Sequence, residues 1–130
     1  MILPILKFLL VFSFLYTKLE SADINISSYP LPLQQLYPLL DDRCSTCHSM
    51  RRTTCAKEIL PSDWEDTLHR MAKLPNANLN QRDIASLYDF LVYDSAVRRK
   101  SALNQQLNRL SMSERTVEQT KINEVLNKYR

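Results

Sequence analysis

No glycine occurs among the 130 residues, where average usage of about 7% would supply about nine. A chain without glycine must hand its left-handed backbone positions to asparagine, the next most tolerant residue. Asn76, Asn78 and Asn80 crowd into one loop, L-P-N-A-N-L-N at 74–80, as that requires. On both sides of this loop the apolar residues recur at three- and four-residue spacing, and no run alternates as a strand would. The expected fold class is all-α.

Leu33, Leu36, Tyr37 and Leu40 form one helical face leading to Cys44 and Cys47, with Pro38 either kinking that helix or marking its first turn. Ser62-Asp63-Trp64-Glu65 has the form of a capping box. From it run Trp64, Leu68, Met71 and Ala72 at i, i+4, i+7 and i+8. A third helix begins near Asn80 with Asp83 in its first turn, its stripe being Ile84, Leu87, Tyr88, Leu91 and Val92. Two narrower stripes follow, Leu103-Leu107-Leu110 and Ile122-Val125-Leu126-Tyr129.

The N-terminus reads differently. Lys7 precedes nine uncharged residues, Phe8 to Tyr16, and a more polar stretch ends in Ser21-Ala22. That order is a secretory signal over 1–22, and the run is short for a membrane span. Glu20 spoils the small-residue cleavage pattern, so an uncleaved N-terminal anchor stands as the alternative. A periplasmic or otherwise exported protein is expected. Export makes cysteine number informative, because paired thiols come in even counts there. This chain has three, Cys44, Cys47 and Cys55.

Charge divides the remainder. Residues 23–97 hold seven Lys/Arg against ten Asp/Glu, net −3, and residues 98–130 hold eight Lys/Arg against three Glu, net +5. The expected organisation is a body at 23–97 and a basic, amphipathic helical extension at 98–130. The extension either folds back on the acidic body or docks on an acidic partner, a larger complex or an anionic membrane surface. Folding on the body is the first reading and a partner-binding arm the second; in either case the extension is expected to be a docked element rather than part of the haem core, and no nucleic-acid partner is expected.

Residues 43–50 read R-C-S-T-C-H-S-M. A structural zinc site needs four ligands, usually in two close pairs. Cys44, Cys47, Cys55 and His69 would supply them only at gaps of wrong rhythm, leaving His48 unexplained. A thioredoxin-like dithiol needs a strand-to-helix turn. Haem accounts for Cys44, Cys47 and His48 together: two thioether bonds and a proximal ligand, made outside the cytoplasm. One covalently attached haem c is therefore expected.

For the sixth iron position, Met50 is held on the proximal side by its closeness to His48. Cys55 as a thiolate is unusual in an exported electron carrier, and is read instead as a small buried hydrophobe. At about 100° per residue, Met71 falls near Trp64 on the apolar stripe while His69 turns away. Met71 is thus the expected distal ligand. Trp64, Leu68, Leu40 and Tyr88 are expected to pack around the haem. Arg51 and Arg52 are read as solvated surface cations, with haem propionates as their alternative partners.

Residues 33–97 resemble the compact bacterial mono-haem cytochrome c domain. The matching pieces are R-C-S-T-C-H-S at 43–49, W-E-D-T-L-H-R-M at 64–71 and I-A-S-L-Y-D-F-L at 84–91. The resemblance implies a small cytochrome c-like helical domain around the haem, class I-like, with His48 and Met71 on the iron. It implies an electron carrier rather than an enzyme, working with redox protein partners. It covers about half of the chain, and nothing of 98–130. The competing expectations are a haem-based enzyme or gas sensor with a labile distal position, and a haem-bearing subunit of a larger redox complex.

Overall fold

The structure is a computed structural model and describes residues 24–130. The signal expected at 1–22, with its choice between export and anchor, lies outside the described residues. Among the described residues all regular structure is helical: α1 Leu31–Ser45, α2 Met50–Thr54, α3 Pro61–Ala72, α4 Gln81–Val97, α5 Lys100–Asn108 and α6 Met112–Lys128. Among these, no helix is long and apolar enough to cross a membrane.

Pro30 leads into α1 and Pro32 stands in its first turn, where a missing N–H leaves nothing unpaired. Pro38 therefore does not start the helix. It lies inside, on an exposed position, and cannot donate to the carbonyl four residues back. Leu33, Leu40 and Cys44 make the buried face.

The start of α3 also differs from the capping box expected at Ser62. The helix opens at Pro61, and the Leu60 N–H donates to the Asp63 carboxylate at 3.0 Å. Ser62 turns to α6 instead: its N–H, at 3.0 Å, and its hydroxyl both donate to the Glu118 carboxylate. A buried carboxylate from the far end of the chain thus sits at the first turn of α3. Orphan amides and the helix dipole favour a negative charge there.

The loop between α3 and α4 uses asparagine as the glycine-free composition demands, with φ of 63° at Asn76 and 50° at Asn78. Asn80 then caps α4, its side chain accepting from the Asp83 N–H at 2.9 Å. α4 is the central element, packing against α1, α3, α5 and α6. Neighbours on several sides bury a wide arc of it, including Ile84, Leu87, Phe90, Leu91 and Val92. Phe90 is sealed in the core while Tyr88 is only half-buried, which the narrow stripe read from the sequence does not capture.

Residues 98–130 are folded on the body, and they share its core where a docked element outside the core was expected. Leu103, Leu107, Ile122 and Val125 join the same buried core as Leu33 and Leu87. Four of the eight tail cations tie the tail to the body, and a fifth, Arg115, joins α6 to α5 within it. Arg98 pairs with Asp94 at 2.6 Å and donates to the Thr54 carbonyl at 2.8 Å, and Arg99 donates to the Ala56 carbonyl. Arg115 donates to the Leu107 carbonyl, Lys121 pairs with Glu65 at 3.0 Å, and Lys128 pairs with Asp89 at 2.6 Å. The acidic surplus of the body supplies carboxylates for three of these contacts.

Candidate functional site

α1 ends at Ser45, and in its last turn the hydroxyls of Ser45 and Thr46 donate to the carbonyls of Asp41 and Asp42. Cys44 occupies the last turn of α1, and Cys47 and His48 follow it. These three line one cavity of about 570 Å³, within the about 300–1,000 Å³ usual for small-molecule and cofactor sites. α3 supplies a second wall through Trp64, Leu68 and Met71. Thr53, Ala56, Lys57 and Glu58 close a third side, and Leu74, Ala77 and Leu79 of the asparagine loop a fourth. Leu87 of α4 also reaches it.

The polar chemistry of the walls is specific. His48 Nδ1 lies 3.0 Å from the Ser49 carbonyl, which can only accept, so Nδ1 carries the proton. Nε2 of the neutral ring is left with its lone pair, the form a metal binds. Burial pushes the Cys44 thiol up, and a hydrogen bond with Thr53 draws it partly back. Trp64 is fixed from behind: its indole N–H donates to Ser95 Oγ at 2.9 Å, and that hydroxyl donates to the Leu91 carbonyl at 2.8 Å. A buried ring with a satisfied N–H holds the α3 wall at a set distance from α4.

The other expected residues fall elsewhere. His69 is exposed, donates from Nδ1 to the Glu65 carbonyl at 2.8 Å, and lines a separate hollow of about 270 Å³. Tyr88 lines that hollow too, so it does not line the larger cavity as expected. Leu40 is buried in the core without reaching the cavity, and so is Met50. Cys55 is an exposed free thiol, not the buried hydrophobe expected, because it stands just past the end of the five-residue α2. Of the arginine pair, Arg52 lines the cavity and Arg51 does not.

The wall made by Thr53 to Glu58 was not legible from motifs. Residues 53–59 have no apolar period; they are placed by the tail. Besides the Arg98 and Arg99 bonds, Gln106 donates to the Lys57 carbonyl at 2.5 Å and accepts from the Ile59 N–H at 3.1 Å. The third wall of the cavity is therefore held by α5.

Among the described residues, no three His, Cys, Asp or Glu side chains gather as a group for a bare metal ion. The cavity fits a macrocycle better than an ion: its lining mixes two thiols, an imidazole and a thioether with indole and leucine surface. Arg52, Lys57 and Arg70 at the same lining suit a cofactor that carries carboxylates. No family model, curated protein or solved structure matches the chain.

Proposed function

We propose that this chain is an exported mono-haem c-type cytochrome that passes single electrons between redox proteins. One observation carries the reading: Cys44, Cys47 and His48 share a cavity with Met71, which comes from a different helix. A chance C-x-x-C-H has no reason to share a hollow of cofactor size with a methionine from another helix.

In this reading Cys44 and Cys47 hold the haem through thioether bonds, His48 Nε2 is the proximal ligand and Met71 Sδ the distal one. The haem supplies a one-electron couple, and a thioether ligand favours its ferrous side. The chain's own residues do the rest. The Ser49 carbonyl keeps the His48 proton on Nδ1. Trp64, Leu68 and Leu87 exclude water from the interior of the site. The resemblance of residues 33–97 to compact bacterial mono-haem cytochromes c points the same way, and two protein ligands leave no position for substrate.

The test is covalency. Protein made in a host with a haem-attachment system, then denatured and extracted with acid-acetone, is expected to keep its haem on the polypeptide. Cys44→Ala/Cys47→Ala protein should release it. A colourless wild-type chain holding stoichiometric zinc would overturn the reading.

A further inference from the structure

The two cysteines of the C-x-x-C-H run are not equally open. Cys47 is exposed, while Cys44, which lines the same cavity, is only 7% exposed. Thr53 hydrogen-bonds the Cys44 thiol, and Ala56, Lys57 and Glu58 continue that side of the cavity. This side has little of its own to hold it. Thr54 and Ile59 are buried, but between them Cys55, Lys57 and Glu58 are exposed and Ala56 is half-buried. α2 has five residues, too few to persist without packing, and α1 is its one helical neighbour among the described residues.

The segment is tied from the tail instead, through its backbone. Arg98 donates to the Thr54 carbonyl at 2.8 Å, Arg99 to the Ala56 carbonyl, and Gln106 spans Lys57 and Ile59. Arg98 is itself fixed: its guanidinium donates to both oxygens of Asp94, at 2.8 and 2.6 Å, and the Tyr29 hydroxyl donates to the same carboxylate. The Arg99 and Gln106 side chains make no other hydrogen bond among the described residues. Segments with few buried apolar contacts open before the fold as a whole does.

We propose that Arg98, Arg99 and Gln106 are positioning residues that strap residues 55–58 shut beside Cys44, and that Cys44 is reached by local release of this strap. Cys47 needs no such release, so Cys44 is the slower of the two thiols to engage any group that enters. The strap stands on the chain's own contacts; only the identity of the entering group, a haem, rests on the proposed function.

The experiment follows Cys44 alone, in the full cofactor-free chain carrying Cys47→Ser/Cys55→Ser. The Cys44 thiolate attacks dithiodipyridine, a neutral disulfide; a mixed disulfide forms and a coloured thiopyridone leaves. Arg99→Met/Gln106→Met removes the strap bonds, and Arg98 stays because its loss would leave the buried Asp94 without its cation. Lys121→Met/Lys128→Met is the control, removing two tail ion pairs away from this wall. The strap variant is expected to react about tenfold faster than its parent, the low end for three lost hydrogen bonds. Its rate should stay flat in low urea, since local opening exposes little surface. The control should react within about twofold of the parent. Equal acceleration in both variants, no acceleration in the strap variant, or a strap-variant rate that climbs from the first addition of urea would overturn the proposal. Hydrogen exchange on the wild-type chain is the second measurement. Amides of 50–59 should exchange before those of α4, and the reverse order would overturn the proposal as well. Haem retained after denaturation is read separately; its absence would remove the proposed function and keep the strap.

Discussion

The tail and the cavity mouth are both rich in cations, and the structure uses them in opposite ways. At the tail, Arg98, Lys121 and Lys128 reach carboxylates of the body, and Arg99 and Arg115 reach carbonyls. At the mouth, Arg52, Lys57 and Arg70 make no ion pair among the described residues. Net charge along a sequence says where cations are concentrated. Whether they hold the fold together or face another molecule depends on which carboxylates the fold brings beside them. Here that reverses the assignment suggested by the charge of segments: the +5 stretch belongs to the architecture, and the −3 stretch carries the exposed basic face.

The largest break in this comparison should come from removing the tail. A chain ending at Val97 loses Leu103, Leu107, Ile122 and Val125 from the core. At about 1.5–3 kcal/mol for each buried side chain, that is about 6–12 kcal/mol before chain ordering is counted. A domain's whole stability is about 5–15 kcal/mol. The truncated chain is expected to lose its cooperative thermal transition by circular dichroism. A transition kept within a few degrees of wild type would mean the tail is dispensable.

A smaller loss is expected at the cap that α6 lends to α3. Glu118→Ala leaves the Ser62 N–H and hydroxyl without their acceptor. Urea unfolding should report about 1–3 kcal/mol. Glu114→Ala is the control: Glu114 is exposed at the start of α6, and its carboxylate serves only its own Ser111 cap.

Alkaline pH tests the same packing. Burial first, and the Asp94 carboxylate second, push the Tyr29 hydroxyl above its usual range; burial and Asp89 do the same for Tyr129. The folded state therefore holds these protons more tightly than the unfolded chain, whose tyrosines titrate near about 10. Their stabilisation is complete below that pH and is lost as pH rises through it toward the folded values. Melting temperature should fall between about pH 10 and 12, and less steeply in Tyr29→Phe/Tyr129→Phe. An unchanged slope in that variant would assign the loss to other groups.

The least effect on stability is expected at the mouth. In the cofactor-free chain Arg52→Gln, Lys57→Gln and Arg70→Gln each remove a charge that has no ion pair among the described residues, and each should alter the urea-unfolding free energy by no more than about 0.5 kcal/mol.

The long body helices α1, α3 and α4 were legible because each shows its apolar residues at helical spacing, whereas the five-residue α2, M-R-R-T-T, has no such stripe; the asparagine loop was legible because no glycine was present to take its positive φ angles. Three walls of the cavity follow from such signals. Cys44, Cys47 and His48 come from a motif, Trp64, Leu68 and Met71 from one stripe, and Leu74 to Leu79 from the loop. The fourth, Thr53 to Glu58, has no period, and its place is set by Arg98, Arg99 and Gln106 from more than forty residues away. Tyr88 and Leu40 were misplaced for a related reason. A stripe tells which side of a helix is buried, not which of several neighbours covers it.

The central claim is that His48 and Met71 face one haem while His69 belongs to another hollow, and the spectrum of three proteins tests it. Ferric wild type should be low-spin with the weak far-red band of sulfur on iron. Met71→Ala should lose that band and lower the reduction potential, and His69→Ala should keep both. If His69→Ala lost the band and Met71→Ala kept it, the α3 wall would not be the distal side and the account would be contradicted.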